Sequence, residues 1–117
     1  MIERLGSVWL EVADLERSLG FYRDALRFDV LHRADDARPL AELRAGSLRL
    51  TLAESDAGCA THRGLQLTIE VAGLDAYYHA LVSRGLDPTP PADDGPVRCF
   101  TVRDPDGLVW RFEQSLA

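Results

Sequence analysis

A chain of 117 residues with 46% hydrophobic content holds one domain with a real core, and it is far too apolar for disorder. The formal net charge of −6 argues against nucleic acid and anionic membrane surfaces, which select clustered positive charge. No apolar run approaches the roughly 20 residues that span a bilayer, so neither a nucleic-acid nor a membrane partner is expected.

The opening residues Met1 to Gly6 lack the basic region and apolar stretch of a secretion signal, which makes the cytoplasm the expected compartment. Cys59 and Cys99 stand far apart, outside any metal or redox spacing, and a disulfide is not expected. All 13 basic residues are arginine, so chemistry that needs a lysine amine, such as a Schiff base, is absent.

The first strand reads from period-two alternation: Val8, Leu10 and Val12 face one way, Ser7, Trp9 and Glu11 the other. Asp14 then stands as an N-cap before a helical stripe of Leu15, Leu19, Tyr22 and Leu26, where Phe21 and Tyr22 read as packing residues. Three strands follow, over about Phe28–His32, Leu40–Arg44 and Leu48–Ala53, with turns at Asp35-Asp36 and Ala45-Gly46. The polar stretch Glu54–Gly64 reads as a linker.

The second half repeats the design. Ser7-Val-Trp-Leu-Glu-Val-Ala-Asp-Leu-Glu returns as Gln66-Leu-Thr-Ile-Glu-Val-Ala-Gly-Leu-Asp, aligning Glu11 with Glu70, Val12 with Val71 and Leu15 with Leu74. A helix from about Leu74, with Tyr77, Ala80 and Leu81 inward, ends at Gly85 as its C′ glycine. Strands are expected around Leu86–Thr89, Arg98–Arg103 and Leu108–Gln114. Pro88–Gly95 reads as an irregular loop, and Asp104-Pro105-Asp106-Gly107 as a tight turn.

Two stretches carry a family resemblance: Val12 to Phe28 (Val-Ala-Asp-Leu-Glu-Arg-Ser-Leu-Gly-Phe-Tyr-Arg-Asp-Ala-Leu-Arg-Phe), and Arg98 to Gln114 around the Asp-Pro-Asp-Gly turn. With the repeat, they resemble the vicinal oxygen chelate superfamily, which contains glyoxalase I, extradiol dioxygenases, fosfomycin-resistance thiol transferases and bleomycin-resistance proteins. The resemblance implies an α+β fold of two pseudo-symmetric βαβββ modules, about residues 1–55 and 64–117 of a single domain. Their curled mixed sheets would enclose a cleft, usually in a homodimer. In the family's metal enzymes four side chains bind a divalent cation there.

By this resemblance the four ligand positions fall on Ser7, Thr51, Gln66 and Arg111, where a cation needs imidazoles and carboxylates. Arg111 would repel the ion, and His32, His62 and His79 have no ligand spacing and read as surface residues. The expectation is a lost metal site and no cofactor, closest in character to the metal-free bleomycin-resistance branch.

Strand parity places Ser7, Trp9, Glu11, Arg49, Thr51, Gln66, Thr68, Glu70, Cys99, Thr101, Arg103, Val109, Arg111 and Glu113 on a ligand-facing side. Val8, Leu10, Leu48, Leu50, Leu52, Leu67, Ile69, Phe100, Val102, Trp110 and Phe112 take the opposite, helix-packed side. A polar second face is a ligand cleft, a solvated surface or a dimer interface. Trp9 can stack on a flat ligand or anchor a dimer. Arg49, Arg103 and Arg111 can clamp an anion or pair with Glu11, Glu70 and Glu113. Glu11 and Glu70 are an acid–base pair or two solvated corners, and Cys99 has no neighbouring histidine to activate it. The favoured function is sequestration of a drug-like or metabolite ligand, as in antibiotic resistance, with a planar or cationic compound expected because the net acidity suits a cation. The alternatives are a lyase, isomerase or dioxygenase-type enzyme of the same superfamily with an atypical or acid–base active site, and a pure dimerisation or regulatory module with an empty cleft.

Overall fold

Period-two patterning becomes strand pairing in both halves of the chain. The computed structural model describes residues 1–56, 62 and 64–117. They fall into two units, Met1–Ala60 and Thr61–Ala117. The first contains β1 (Val8–Val12), α1 (Leu15–Leu19), a π-helix (Gly20–Ala25), β2 (Asp29–Ala34), β3 (Leu40–Ala45) and β4 (Leu48–Glu54). The second contains β5 (Gln66–Glu70), α2 (Leu74–Ser83), β6 (Ala92–Asp94), β7 (Val97–Arg103) and β8 (Val109–Ser115).

Each unit is one open, mixed, four-stranded sheet, and the two strand orders match: β1-β4-β3-β2 and β5-β8-β7-β6. The outer pair is parallel in both, with Trp9 opposite Thr51 and Thr68 opposite Arg111. The other pairs are antiparallel. The sequence repeat is therefore a repeat of topology, as expected.

Parity decides the core. In the first unit Leu10, Val12, Ala41, Leu43, Leu50 and Leu52 are all buried, on the face of the sheet where α1 contributes Leu15 and Leu19. In the second, Phe100 and Phe112 stack at 5.3 Å and receive Tyr77 and Tyr78 of α2 edge-on or tilted. Trp110 is 0% exposed, whereas Trp9, on the opposite parity, is 55% exposed. Burial among these rings pushes the Tyr77 phenol up to about 12, so it stays neutral at physiological pH.

Both helical segments start on the same device. Glu54, at the end of β4, accepts the Leu15 N–H at 3.0 Å, and Gln114, near the end of β8, accepts the Leu74 N–H at 2.9 Å. These long-range bonds satisfy first-turn donors that a helix leaves open. Asp14 adds the expected N-cap, accepting the Arg17 N–H. Gly73 has no side chain to offer and sits at φ 69, so Gln114 takes the capping role in α2.

Two expectations are corrected. The stripe at Leu15, Leu19, Tyr22 and Leu26 is buried as its spacing predicts, but the helix widens after Leu19 into a π-helix, with Leu26 N–H donating to Phe21 O at 2.9 Å. The extra residue in the turn lets consecutive Phe21 and Tyr22 both bury, their rings edge to face at 4.9 Å. The segment ends on Arg27 at φ 68, the single non-glycine residue in the left-handed region among the described residues. Second, Leu86–Thr89 is not a strand. Pro88, Pro90 and Pro91 have no N–H to give to a ladder, and only Thr89 bonds to Thr101 there. The edge strand forms where donors resume, at Ala92–Asp94, inside the stretch expected to be loop. Among the described residues no helix is long and apolar enough to cross a membrane.

Four stability outcomes follow from this packing. Trp110→Ala costs about 3–5 kcal/mol, the scale of an emptied aromatic core site, while Trp9→Ala stays within about 1 kcal/mol as a surface change. Chemical denaturation of the two variants checks this, and a larger loss for Trp9 would reverse the faces. Gln114→Ala, which strips the cap from α2, costs about 1 kcal/mol in the same assay. Arg27→Gly relieves a left-handed backbone and stabilises by about 0.5–1 kcal/mol. An unchanged or lower midpoint for Arg27→Gly would contradict the assigned φ.

Candidate ligand-binding faces

The helix-free face of each sheet carries the polar residues that parity assigns to it. In the first unit, pairing register sets Trp9, Thr51, Glu42 and His32 in one row across four strands. Thr51 is half-buried, and Glu11 and Arg49 are exposed, as is Ser7 just before β1. Arg49 reaches Glu42 at 4.0 Å and Arg44 reaches Asp29 at 3.9 Å, contacts too long for hydrogen bonds. A shallow cavity of about 210 Å³ is bordered by Ser7, Glu42, Arg49 and Thr51.

Arg38, from the β2–β3 connection, organises the edge of this face. Its Nη2 donates to Glu11 Oε1 at 2.9 Å and its Nε to the Glu54 carbonyl at 2.8 Å. Its guanidinium carbon lies 5.8 Å from the centroid of the Trp9 ring, within cation–π range.

In the second unit Thr68, Arg111 and Thr101 form one row, and Glu70, Glu113 and Cys99 the next. Gln66, Thr68 and Glu70 are exposed on β5. Arg111 donates from Nε to Glu113 at 3.2 Å and from Nη2 to Asp94 of β6 at 3.1 Å. The bond to Asp94, chiefly, and that to Glu113 hold its guanidinium above its ordinary value against partial desolvation. Arg103 is exposed opposite half-buried Val109, with no ion pair among the described residues. Open cavities of about 430 and 400 Å³ adjoin Glu70 and Glu113, and Thr89, Thr101 and Arg103, respectively. Cys99 is a half-buried free thiol, and Cys59 lies outside the described residues.

Of the arginine–glutamate pairings that parity suggests, the structure makes Arg111–Glu113 alone among the described residues. Glu11 is taken by Arg38 and Arg49 leans to Glu42. Arg38, Glu42 and Asp94 are members of these faces that sequence reasoning missed. Arg38 and Asp94 lie 27 and 17 residues from the side chains they hold, in stretches without periodicity.

The profile of the Glyoxalase/Bleomycin resistance protein/Dioxygenase superfamily matches residues 4–112. The chain belongs to this superfamily. Its fold is that of a glyoxalase family protein from Enterococcus faecalis (20% identity, 95% of this chain and 97% of that one, TM-score 0.82). It is equally that of TnmS3, an antibiotic binding protein from Streptomyces sp. CB03234 (21%, 98% of each chain, TM-score 0.81). The fosfomycin resistance protein FosX from Listeria monocytogenes is also similar (16%, 96% and 91%, TM-score 0.80). No curated protein matches the chain.

Superfamily membership makes a divalent cation the obvious group to test against these residues. The paired helix-start bonds equate Glu54 with Gln114, and three residues before them stand Thr51 and Arg111. Thr51 and Arg111 are thus equivalent positions of the two modules. Their side chains are a hydroxyl and a guanidinium, and Ser7 and Gln66 supply a hydroxyl and an amide. Arg111 is itself a cation held by two carboxylates. Among the described residues no three His, Cys, Asp or Glu side chains gather as a metal requires. The donors present do not fit a divalent metal.

Arg111→Glu tests the role of that guanidinium. It adds a carboxylate beside Glu113 and Asp94, so the melting temperature falls, and the loss shrinks in high salt. Added Mn²⁺ or Zn²⁺ leaves the variant's melting point unchanged; a metal-dependent recovery would show that these strands still form a cation site.

Proposed function

We propose that this superfamily member is a metal-free small-molecule-binding protein that holds a flat organic ligand on the open faces of its sheets, as one domain. Trp9 carries the reading. A Trp that is 55% exposed in mid-strand, surrounded by Ser7, Thr51 and Glu42, has no part in the core that Trp110 and the leucines build. An indole in that setting offers a large flat contact and an N–H donor to an aromatic or conjugated molecule. Thr51, Gln66, Thr68, Arg49, Arg103 and the Glu70–Glu113 pair supply hydrogen bonds and charge for orientation. The antibiotic binding protein of similar fold is support by analogy of scaffold.

Sequestration suits these residues better than catalysis. Glu11, a candidate general base, is tied to Arg38, and Arg111 is tied to two carboxylates. The protein works as a homodimer in this reading, since open sheets leave edge strands to cover.

The test is a thermal-shift screen of flat antibiotics and aromatic metabolites on the chelator-treated protein, with elemental analysis and light scattering alongside. A ligand present at 100 times its Kd stabilises by about 2.7 kcal/mol. The expected result is a saturable shift that Trp9→Ala removes, no stoichiometric metal, and a dimer mass. Binding that returns only when metal is restored would overturn the metal-free reading, and a monomer mass at micromolar concentration would remove the dimer.

A further inference from the structure

Trp9 is not a free-standing aromatic. Arg38 lies over one ring face, and two further contacts immobilise that guanidinium: Glu11 Oε1 at 2.9 Å and the Glu54 carbonyl at 2.8 Å. Both anchors come from strand residues of the same sheet, at the C-terminal ends of β1 and β4. A guanidinium held at Nε and Nη2 keeps its plane, because the fork is rigid. The side chain of Arg38 is itself only 35% exposed, although it comes from a connection between strands. Three contacts on a loop arginine are more than a surface ion pair requires: two hold the guanidinium in place and the third sets it against the indole.

We infer that Arg38 is a positioning and specificity residue that fixes Trp9 as a preformed stacking platform for a flat, uncharged or anionic aromatic ligand. This rests on the reading that the open face of the first unit takes a ligand. Two physical consequences give it content. A side chain ordered in advance spares the ligand the cost of ordering it on binding. Arg38 also already uses the π cloud of Trp9 as its cation site, so a second cation on the opposite ring face gains less and meets like charge. The net charge of −6 would by itself draw cations to the protein. A preference for uncharged or anionic rings must therefore arise locally, at Arg38.

Three naphthalenes of one shape separate these effects: 2-naphthalenemethanol, 2-naphthoate and 2-naphthylmethylammonium. Their dissociation constants are measured by calorimetry on the whole chain and on Trp9→Ala, Arg38→Ala and Arg38→Lys. The wild type is expected to bind the neutral and anionic probes more tightly than the cation, with binding lost in Trp9→Ala. Arg38→Ala weakens the neutral probe about three- to tenfold, the scale of re-ordering one side chain, and raises the affinity of the cation relative to it. Arg38→Lys keeps the charge without the planar fork and recovers little. Without ligand, acrylamide quenching of Trp9, isolated by subtracting a Trp9→Phe sample, increases in Arg38→Ala. If Arg38→Ala does not fold, Glu11→Gln loosens the same anchor and gives a smaller change in the same direction.

Probes that bind through Trp9 with affinity and quenching indifferent to Arg38 overturn this inference and leave the ligand reading intact. Naphthalenes that fail to bind, or bind equally to Trp9→Ala, overturn the ligand reading of this face and the inference with it. A wild-type preference for the cation that survives in Arg38→Ala overturns the specificity assigned to Arg38.

Discussion

Each four-stranded sheet has one face to bury and one helical segment to bury it with, and everything else in either unit is subordinate to that match. The pleat sends successive side chains to opposite faces, so five to seven residues of strand suffice to commit a whole row to the core and its neighbours to the surface. Leu10, Leu50 and Leu52 are sealed while Trp9 and Arg49 are exposed and Thr51 is half-buried. A one-residue slip of β4 would exchange those sets, so the register that positions the open faces is held by the same leucines that stabilise the fold.

The helical segments are seated rather than merely placed above the sheets. Glu54 and Gln114 each reach from the last strand to the first helical N–H, linking the sheet's final register to the helix's starting point. That one arrangement appears twice, with a carboxylate in one unit and an amide in the other. Where Asp14 provides a second cap, the helix is short and gives way to a π-helix. Where Gly73 provides none, the ten residues of α2 start on Gln114. The duplicated device shows that the repeat extends to the bonds that define its corners.

The positions that the family resemblance assigns to metal ligands hold no donor set that fits a cation, and one of them, Arg111, belongs to an internal electrostatic arrangement. Arg111 places a tethered positive charge there, and Asp94 and Glu113 answer it. The chemistry left on the faces is recognition chemistry: hydroxyls, an amide, guanidinium groups and one exposed indole. On the first unit that indole is shaped by Arg38, which belongs to neither the core nor the strands.

The sequence by itself determined the two modules, through the internal repeat, and the split of Trp9 from Trp110, the caps at Asp14 and Gly85 and the tight turn at Asp104–Gly107, because each of these is set by residues within one strand, helix or turn. The motifs around Val12 and Asp104 identified the superfamily. Tertiary structure decided the rest. The π-helix arises from the demand to bury both Phe21 and Tyr22, and β6 forms only where β7 can receive donors that the prolines before it lack. Arg38 on Trp9, Asp94 on Arg111 and Gln114 on α2 are contacts across 17 to 40 residues of chain, where Arg38 is also bonded to Glu11. Local pattern carries no information about such partners, since a charged loop residue has the same signature whether it ends in solvent or against an indole.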